Sequence, residues 1–254
     1  LIELTVVLLV LIGLAGLMIP YVSGFVGKTH NATGSSNIAE VNTAVQRYES
    51  EFYGYPSGLD SLVSDNATPA VIDYTMAPAT NYGFSIADAS AAGVNKEACW
   101  SLNMAGMKGA VQMMEVPTNP TFDNASGTIT YSSDDTAMAT TCDQGDFVVV
   151  TPANVTTAFG ITTRADALYV AYGIGQSSDL VGKTMTTAPV HFAQQGDMSA
   201  SNKYNRFVVV FEAYTGTVGM TAKRAKFVGA GMAMMSLEGM NASLERHYDD
   251  VKTN

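Results

Sequence analysis

Apolar residues fill the start of the chain without interruption. From Leu4 to Val26 the sequence contains no charged residue. A helix rises about 1.5 Å per residue, so about twenty apolar residues cover the ~30 Å hydrocarbon core of a bilayer, and this run predicts a helix that can span a membrane. Glu3 stands at the very start of the run, where an anchoring helix would carry Lys or Arg. Because an unpaired carboxylate is costly in hydrocarbon, we expect Glu3 to have a partner.

Beyond residues 27–36 the apolar positions become periodic. Spacings of three and four place a second apolar set on one face of a helix. These residues are Ile38, Val41, Val45, Tyr48 and Phe52. The positions expected on the opposite, polar side are Asn42, Gln46 and Glu49. We therefore predict one helix that continues to about Phe52, with a first half suited to lipid or other copies of itself and a second half suited to a globular domain.

Residues 54–127 have no clear period, and we predict a long loop region with short elements there. From residue 128 onward, β-branched and aromatic runs bounded by turn residues predict strands at 128–131, 146–151, 167–174, 206–214 and 224–228. Phe147–Val150 and Phe207–Phe211 have the continuous apolar character of central strands buried on both faces. The tail, at about 233–251, predicts a helix with one apolar stripe, formed by Leu237, Met240, Leu244, Tyr248 and Val251. The predicted fold class is α+β.

The first residues also resemble a known family. The string LIELTVVLLVLIGLAGLMIP is similar to the mature N-terminus of type IV pilins and pseudopilins, in which a glutamate, a glycine inside the apolar run and a later proline correspond to Glu3, Gly13 and Pro20. Two residues that normally precede Leu1 are absent, as is the basic leader that a prepilin peptidase removes. We interpret the sequence as a mature form that lacks its first residues.

A second stretch supports the same resemblance. Tyr48 is followed by Gly54-Tyr55-Pro56 and then by Gly58-Leu59 and Leu62. This order is similar to a signature that follows the long helix in major pseudopilins of the type II secretion system, and several bacterial pilins share it. Physically, Gly54 suits the left-handed position just beyond a helix, and Pro56 cannot continue one. We expect Tyr55 and Pro56 to pack an aromatic ring against the helix end and to turn the chain back.

The resemblance implies a type IV pilin-like fold, in which a long N-terminal helix packs on an antiparallel sheet. It divides the chain into a filament-core half of the helix at 1–26, an amphipathic half at 27–53 and a globular head at 54–254. The head then comprises the loop region 54–127, the sheet region 128–229 and the terminal helix 233–251. Gly13, Gly16 and Pro20 weaken the helix between them, so this segment is expected to kink or to extend partly in a filament.

The implied function is that of a structural subunit. It would be inserted in the cytoplasmic membrane, processed by a prepilin peptidase and polymerised by a pilus or secretion machinery into a helical filament of identical copies outside the cell. In the family, the glutamate that corresponds to Glu3 pairs with the N-terminal amine of an adjacent subunit. Two alternatives remain: a major pseudopilin of a type II secretion system, and a monomeric, membrane-anchored periplasmic binding domain. A cleavable secretory signal would need a basic N-terminal region, which the sequence lacks.

Composition narrows the possible chemistry. The chain has 254 residues, a formal net charge of −10 and 14% charged residues, so we expect no nucleic-acid partner. Cys99 and Cys142 suit one disulfide in an oxidising compartment, although buried free thiols remain the alternative. Acidic side chains near Cys142 are weak calcium candidates, and a solvated acidic turn explains them equally. They are Asp134, Asp135, Asp143 and Asp146. The sequence contains no motif of an enzyme or of a site for a tightly bound cofactor, and we expect neither enzyme activity nor a bound cofactor.

Overall fold

A computed structural model describes the secondary structure of most, but not all, of the chain. The described residues are 2–59, 62–64, 71–72, 83–88, 94–107, 121–123, 128–130, 146–175, 178–189, 191–192, 204–215, 223–233, 237–240 and 244–245. Three helices of four residues or more lie within these ranges: α1 (Ile2–Phe52), α2 (Val94–Met104) and α3 (Pro152–Phe159). The strands are β1 (Val63–Ser64), β2 (Val71–Ile72), β3 (Phe84–Asp88), β4 (Thr121–Asp123), β5 (Thr128–Thr130), β6 (Asp146–Val150), β7 (Ala167–Gly173), β8 (His191–Phe192), β9 (Tyr204–Tyr214), β10 (Lys226–Ala233) and β11 (Leu237–Gly239).

The main element is an antiparallel sheet of seven strands in the order β11-β10-β9-β7-β6-β3, with β8 paired to the start of β9. Two further hairpin pairs, β1 with β2 and β4 with β5, lie outside it. Helices together with this antiparallel sheet make the chain α+β. The strands predicted from the β-branched runs are confirmed, with bounds that shift by a few residues at either end. Inside the predicted loop region 54–127, β3 is an edge strand of the main sheet and α2 is a helix.

Both faces of the sheet are covered, each by its own helices. Alternate residues of a strand point to opposite faces. On β9, Phe207, Val209 and Phe211 face the core beneath α1 and α2. Val208 and Val210 face a second core beneath α3. All five are at most 1% exposed, so the prediction of central strands buried on both faces is confirmed for this segment.

Helix α3 follows β6 directly and was not predicted. Pro152 occupies its first turn, and Gly160 ends it in the left-handed region at φ 67°, where the Gly160 N–H donates to the Thr156 carbonyl. Proline at the start of a helix and glycine just beyond its end are the signals that favour such a helix. Its buried residues Val155 and Ala158 close the second face of the sheet.

The predicted helix at 233–251 is wrong over its first turns. Ala233 is the last residue of β10, and Leu237–Gly239 form β11, which pairs with residues 231–233 of β10. Leu237 is buried beneath α3. The physical reason is that backbone N–H and C=O groups at a sheet edge need partners, and β11 supplies them to the end of β10. In this region the structure describes helical residues at 240, 244 and 245.

Candidate functional site: α1 and its junction with the sheet

The two halves of α1 have opposite surroundings. In the first, every residue from Leu4 to Leu14 is exposed, and its large apolar side chains are 53–75% exposed. In the second, Ile38, Val41 and Val45 are fully buried and Tyr48 is 6% exposed, in the core between α1 and the sheet. The predicted apolar face is therefore confirmed at these positions, whereas Phe52 at the helix end remains half-exposed.

The predicted assembly residues all lie on α1. Glu3 is in its first turn, and the helix continues without interruption past Gly13, Gly16 and Pro20. A Cβ atom at Gly13 would meet nothing within 4 Å. The kink or extension at 13–20 and the pairing of Glu3 remain predictions. Among the described residues, no helix combines the length and the hydropathy that crossing a membrane requires.

The end of α1 differs from the sequence prediction at one residue. Tyr53, not Gly54, takes the left-handed conformation, with φ 57°. Its N–H still donates to the Glu49 carbonyl at 2.9 Å, so the last helical hydrogen bond is kept. Its side chain is 87% exposed. The assignment of Gly54 to the left-handed position is therefore wrong, and the need for glycine there has another cause.

That cause is a close crossing of two backbone segments. A Cβ atom added at Gly54 would lie 3.3 Å from the Ala105 carbonyl oxygen and from Gly106 Cα, and one added at Gly106 would lie 2.9 Å from Gly54 Cα. The Tyr55 N–H donates to the Ala105 carbonyl at 2.8 Å across this crossing. The end of α2 thus abuts the segment that leaves α1, because neither glycine has a side chain.

Tyr48 joins α1 to the loop at 178–185. Its hydroxyl donates to Asp179 Oδ2 at 3.4 Å and accepts from Lys183 Nζ at 3.3 Å. The Lys183 ammonium also lies 5.3 Å from the centroid of the Tyr48 ring and 5.2 Å from that of Phe52, within the range of a cation–π contact. The bond to Tyr48 and, next, the charge of Asp179 raise the pKa of Lys183.

Tyr55 is the centre of the junction. Its ring packs in the core with centroids 5.1 Å from Phe211 and 6.5 Å from Phe227, and its hydroxyl accepts a hydrogen bond from the Phe227 N–H at 3.1 Å. On the outer side, the Arg224 guanidinium lies 5.3 Å from the ring centroid and pairs with Glu49 of α1 at 3.0 Å. Tyr55 and Pro56 are both buried, and the Tyr55 ring packs on Phe211 and Phe227 of the sheet; its expected packing against the helix end stays a prediction.

Burial also controls the titration of the tyrosines. Desolvation raises the pKa of Tyr55, Tyr169 and Tyr172 above the ordinary value of 10.0, because the phenolate would lose hydration in the core. For Tyr55 the hydrogen bond from the Phe227 N–H opposes this shift. Burial of these side chains in the core is the main cause of all three pKa shifts.

Two polar side chains bond the helices to the sheet region, Asn42 of α1 to β10, and Ser101 of α2 to the end of β9 and to Lys223. Asn42, which was predicted to face away from the core, accepts a hydrogen bond from the Ala230 N–H at 2.8 Å and donates to the Ile38 carbonyl at 3.0 Å. Ser101 of α2 is fully buried. Its hydroxyl donates to the Lys223 carbonyl at 2.7 Å and accepts from the Tyr214 N–H at 3.0 Å. Asn42 has the helical spacing of the apolar face, four residues after Ile38 and three before Val45, but the sequence does not show which strand either residue meets.

The remaining predicted site residues are only partly described. Cys99 lies on α2 and is disulfide-bonded, while Cys142 falls outside the described residues. Of the calcium candidates, Asp134, Asp135 and Asp143 also fall outside them, and Asp146 begins β6 opposite Asp88. No group of three or more potential metal ligands occurs within the part of the chain that the structure describes.

Comparisons of the chain with known protein families, with curated proteins and with solved structures found no match.

Proposed function

We propose that this protein is a structural subunit of the type IV pilin kind, which polymerises into a helical filament through the first half of α1. The observation that carries the proposal is that one helix has an exposed apolar stretch at residues 4–14 and a stretch at residues 38–48 whose apolar face is buried against the sheet. The resemblance of LIELTVVLLVLIGLAGLMIP to pilin N-termini supports the same conclusion.

The size of the exposed apolar surface gives the physical reason. Nine large apolar side chains between Leu4 and Leu14 are 53–75% exposed. Covering them stabilises the chain by on the order of 10 kcal/mol, which is comparable to the whole folding free energy of a typical domain, about 5–15 kcal/mol. A surface of this kind marks association with a membrane or with other chains. We propose both, with lipid first and neighbouring copies after assembly.

Moving the helix from lipid into a protein bundle gains little hydrophobic free energy, because lipid tails are equally apolar. Polar pairing must then specify the register between subunits. Glu3 is the acidic residue at the start of the apolar half, and in the dry centre of a bundle its carboxylate is costly unless it is paired. We propose that it pairs with the amine of an adjacent subunit.

The test is assembly of the full chain in its native cells. Material sheared from the cells is inspected by electron microscopy and identified by mass spectrometry. We expect filaments made of this chain from the wild type, and a folded, membrane-held but unassembled subunit from Glu3→Ala. Glu40→Ala is the matched control, since Glu40 is an exposed acid on the same helix, beyond the apolar half. Normal filament yield from Glu3→Ala would overturn the proposed pairing.

The second candidate is a pseudopilin of a type II secretion system, favoured by the order of Tyr48, Gly54, Tyr55 and Pro56 at the junction. It predicts that the protein stays in the cell envelope and is absent from the sheared fraction, while still requiring Glu3. A monomeric binding domain would also stay in the envelope but would be indifferent to Glu3→Ala. Cross-linking of the envelope fraction, with the wild type and Glu3→Ala compared, separates these two outcomes.

A further inference from the structure

The outer edge of β10 has the geometry of a strand that could pair with another chain. On its inner side β10 pairs with β9 from Lys226 to Ala233. On its outer side β11 covers only residues 231–233. The remainder of β10, from Lys226 to Ala230, and Ala225 just before it have no strand on this side among the described residues. An uncovered edge presents N–H and C=O groups that any extended segment can pair with.

The N–H groups of this edge are nevertheless occupied. The Ala225 N–H donates to the Ser101 carbonyl at 3.0 Å, the Phe227 N–H to the Tyr55 hydroxyl at 3.1 Å, and the Ala230 N–H to Asn42 Oδ1 at 2.8 Å. The acceptors come from three separate segments, namely α2, the segment after α1, and α1 itself. Together with β11 they replace the missing strand over the length of β10.

The spacing of the three donors matches the geometry of a strand edge. In an antiparallel strand, alternate residues direct their N–H groups to the same side. Ala225 and Phe227 are two residues apart, and Ala230 follows after a β-bulge between Phe227 and Gly229 that adds one residue. All three N–H groups therefore point to the side away from β9, where a further strand would lie.

We infer that Asn42, Tyr55 and Ser101 seal the outer edge of β10 against pairing with an extended segment of a second copy of this chain. The acceptors are held in place by the fold, because Tyr55 packs in the core, Ser101 is fully buried on α2, and Asn42 lies on α1 between the buried residues Ile38 and Val45. This inference does not depend on the proposed filament. It concerns the association that the fold prevents, whereas the proposal above concerns the association that the fold permits.

The hydrogen bonds that Tyr55 and Asn42 make to β10 can be removed with little change in side-chain volume. Tyr55→Phe removes the hydroxyl and keeps the ring, and Asn42→Leu removes the acceptor and keeps the approximate size of the side chain. Tyr48→Phe is the matched control, because it removes the hydroxyl of another buried tyrosine at the same junction, whose partners Asp179 and Lys183 lie away from β10. Asn42→Asp keeps an acceptor oxygen for the Ala230 N–H but loses the N–H that donates to the Ile38 carbonyl, so it tests the acceptor alone.

The experiment uses the full chain in detergent micelles, which cover the apolar half of α1. Amide hydrogen exchange is measured at Phe227 and Ala230, and oligomerisation is followed by light scattering and by cross-linking of mixed isotope-labelled and unlabelled chains. For Tyr55→Phe/Asn42→Leu we expect exchange at these two amides to accelerate at least about tenfold, as loss of one hydrogen bond worth roughly 1.4 kcal/mol implies. We also expect labelled-to-unlabelled cross-links at β10. Tyr48→Phe should behave as the wild type, and Asn42→Asp should keep slow exchange at Ala230, because its acceptor oxygen remains.

The inference is overturned if the double variant keeps wild-type exchange at Phe227 and Ala230, or if it associates no more than Tyr48→Phe does. Amides of the central residues Val209 and Phe211 report whether the sheet itself has unfolded. If they also lose protection in the double variant, the milder single variant Tyr55→Phe decides the question with the same two measurements.

Discussion

The crossing of Gly54 and Gly106 gives a quantitative test of how α1 is joined to the rest of the fold. Gly106 has φ +95°, and an added Cβ atom would lie 2.9 Å from Gly54 Cα and 3.3 Å from the Tyr55 nitrogen. Both neighbours are backbone atoms, so they cannot rotate away as a flexible side chain would. Gly106→Ala should therefore combine two costs, an unfavourable backbone conformation and a steric overlap.

Each cost can be estimated. A residue with a Cβ atom in the left-handed region loses roughly 1–2 kcal/mol. Forcing an additional carbon into a close-packed site costs about 1–3 kcal/mol. Against this, alanine restricts the unfolded chain and recovers roughly 0.4–1 kcal/mol. We expect Gly106→Ala to lower the free energy of unfolding by about 1–5 kcal/mol, the sum that these ranges allow.

Gly182→Ala separates the two costs. Gly182 has a similar φ of +84°, but nothing lies within 4 Å of its added Cβ atom. This variant should lose only the conformational part, about 1 kcal/mol or less after the gain in the unfolded state. The difference between the two variants then measures the overlap at the crossing.

The assay is urea unfolding of the full chain in detergent micelles, followed by the fluorescence of Trp100. This residue is the single tryptophan of the chain and lies on α2, one turn before the crossing. If Gly106→Ala and Gly182→Ala lose the same free energy of unfolding, the crossing contributes nothing beyond backbone conformation. The physical account of Gly54 given above would then be refuted.

Two further predictions follow from the buried polar groups. Ser101→Ala leaves the Tyr214 N–H and the Lys223 carbonyl without their partner and should lower the free energy of unfolding by about 1–3 kcal/mol. Ser50→Ala, on the exposed side of α1, is the control and should change it by less than about 0.5 kcal/mol. Equal losses of the two variants in urea unfolding would contradict this prediction. Because the folded pKa of Tyr172 lies above its unfolded value of 10.0, the stability that it contributes is complete below pH 10.0 and declines as the pH rises toward the folded pKa. Tyr172→Phe should make that decline smaller, as monitored by urea midpoints across the alkaline range, and an unchanged decline would argue against the burial of this hydroxyl.

Periodicity was sufficient where a segment is long or fully buried. The end of α1 at Phe52, its buried face at Ile38, Val41 and Val45, and the central strand around Phe207–Phe211 could be predicted because many positions carry the same signal. Burial on both faces left no polar residue between Phe207 and Phe211 to obscure the pattern.

The predictions were wrong where only three or four residues carry the signal for a conformation. Leu237, Met240 and Leu244 have helical spacing, but β11 is only three residues long, and a strand of that length cannot display an alternation. What selects a strand there is the unpaired end of β10, which lies far from any local pattern. Similarly, Gly54 was assigned a left-handed conformation from its place after the helix, while its actual constraint, the backbone of Gly106, is more than fifty residues away in the sequence.

The prediction for Asn42 was wrong for the same reason, because its partner is distant in the sequence. Its polarity suggested the solvent side of α1, but Asn42 lies four residues after Ile38 and three before Val45, the spacing of one helix face, and its amide faces the edge of β10. We have proposed that copies associate through the apolar start of α1 and that the edge of β10 is closed to them. A helix surface selects its partner by shape, while a strand edge pairs with any extended backbone. On these two proposals, one helix serves for the selective association and, by supplying Asn42 to the Ala230 N–H, against the unselective one.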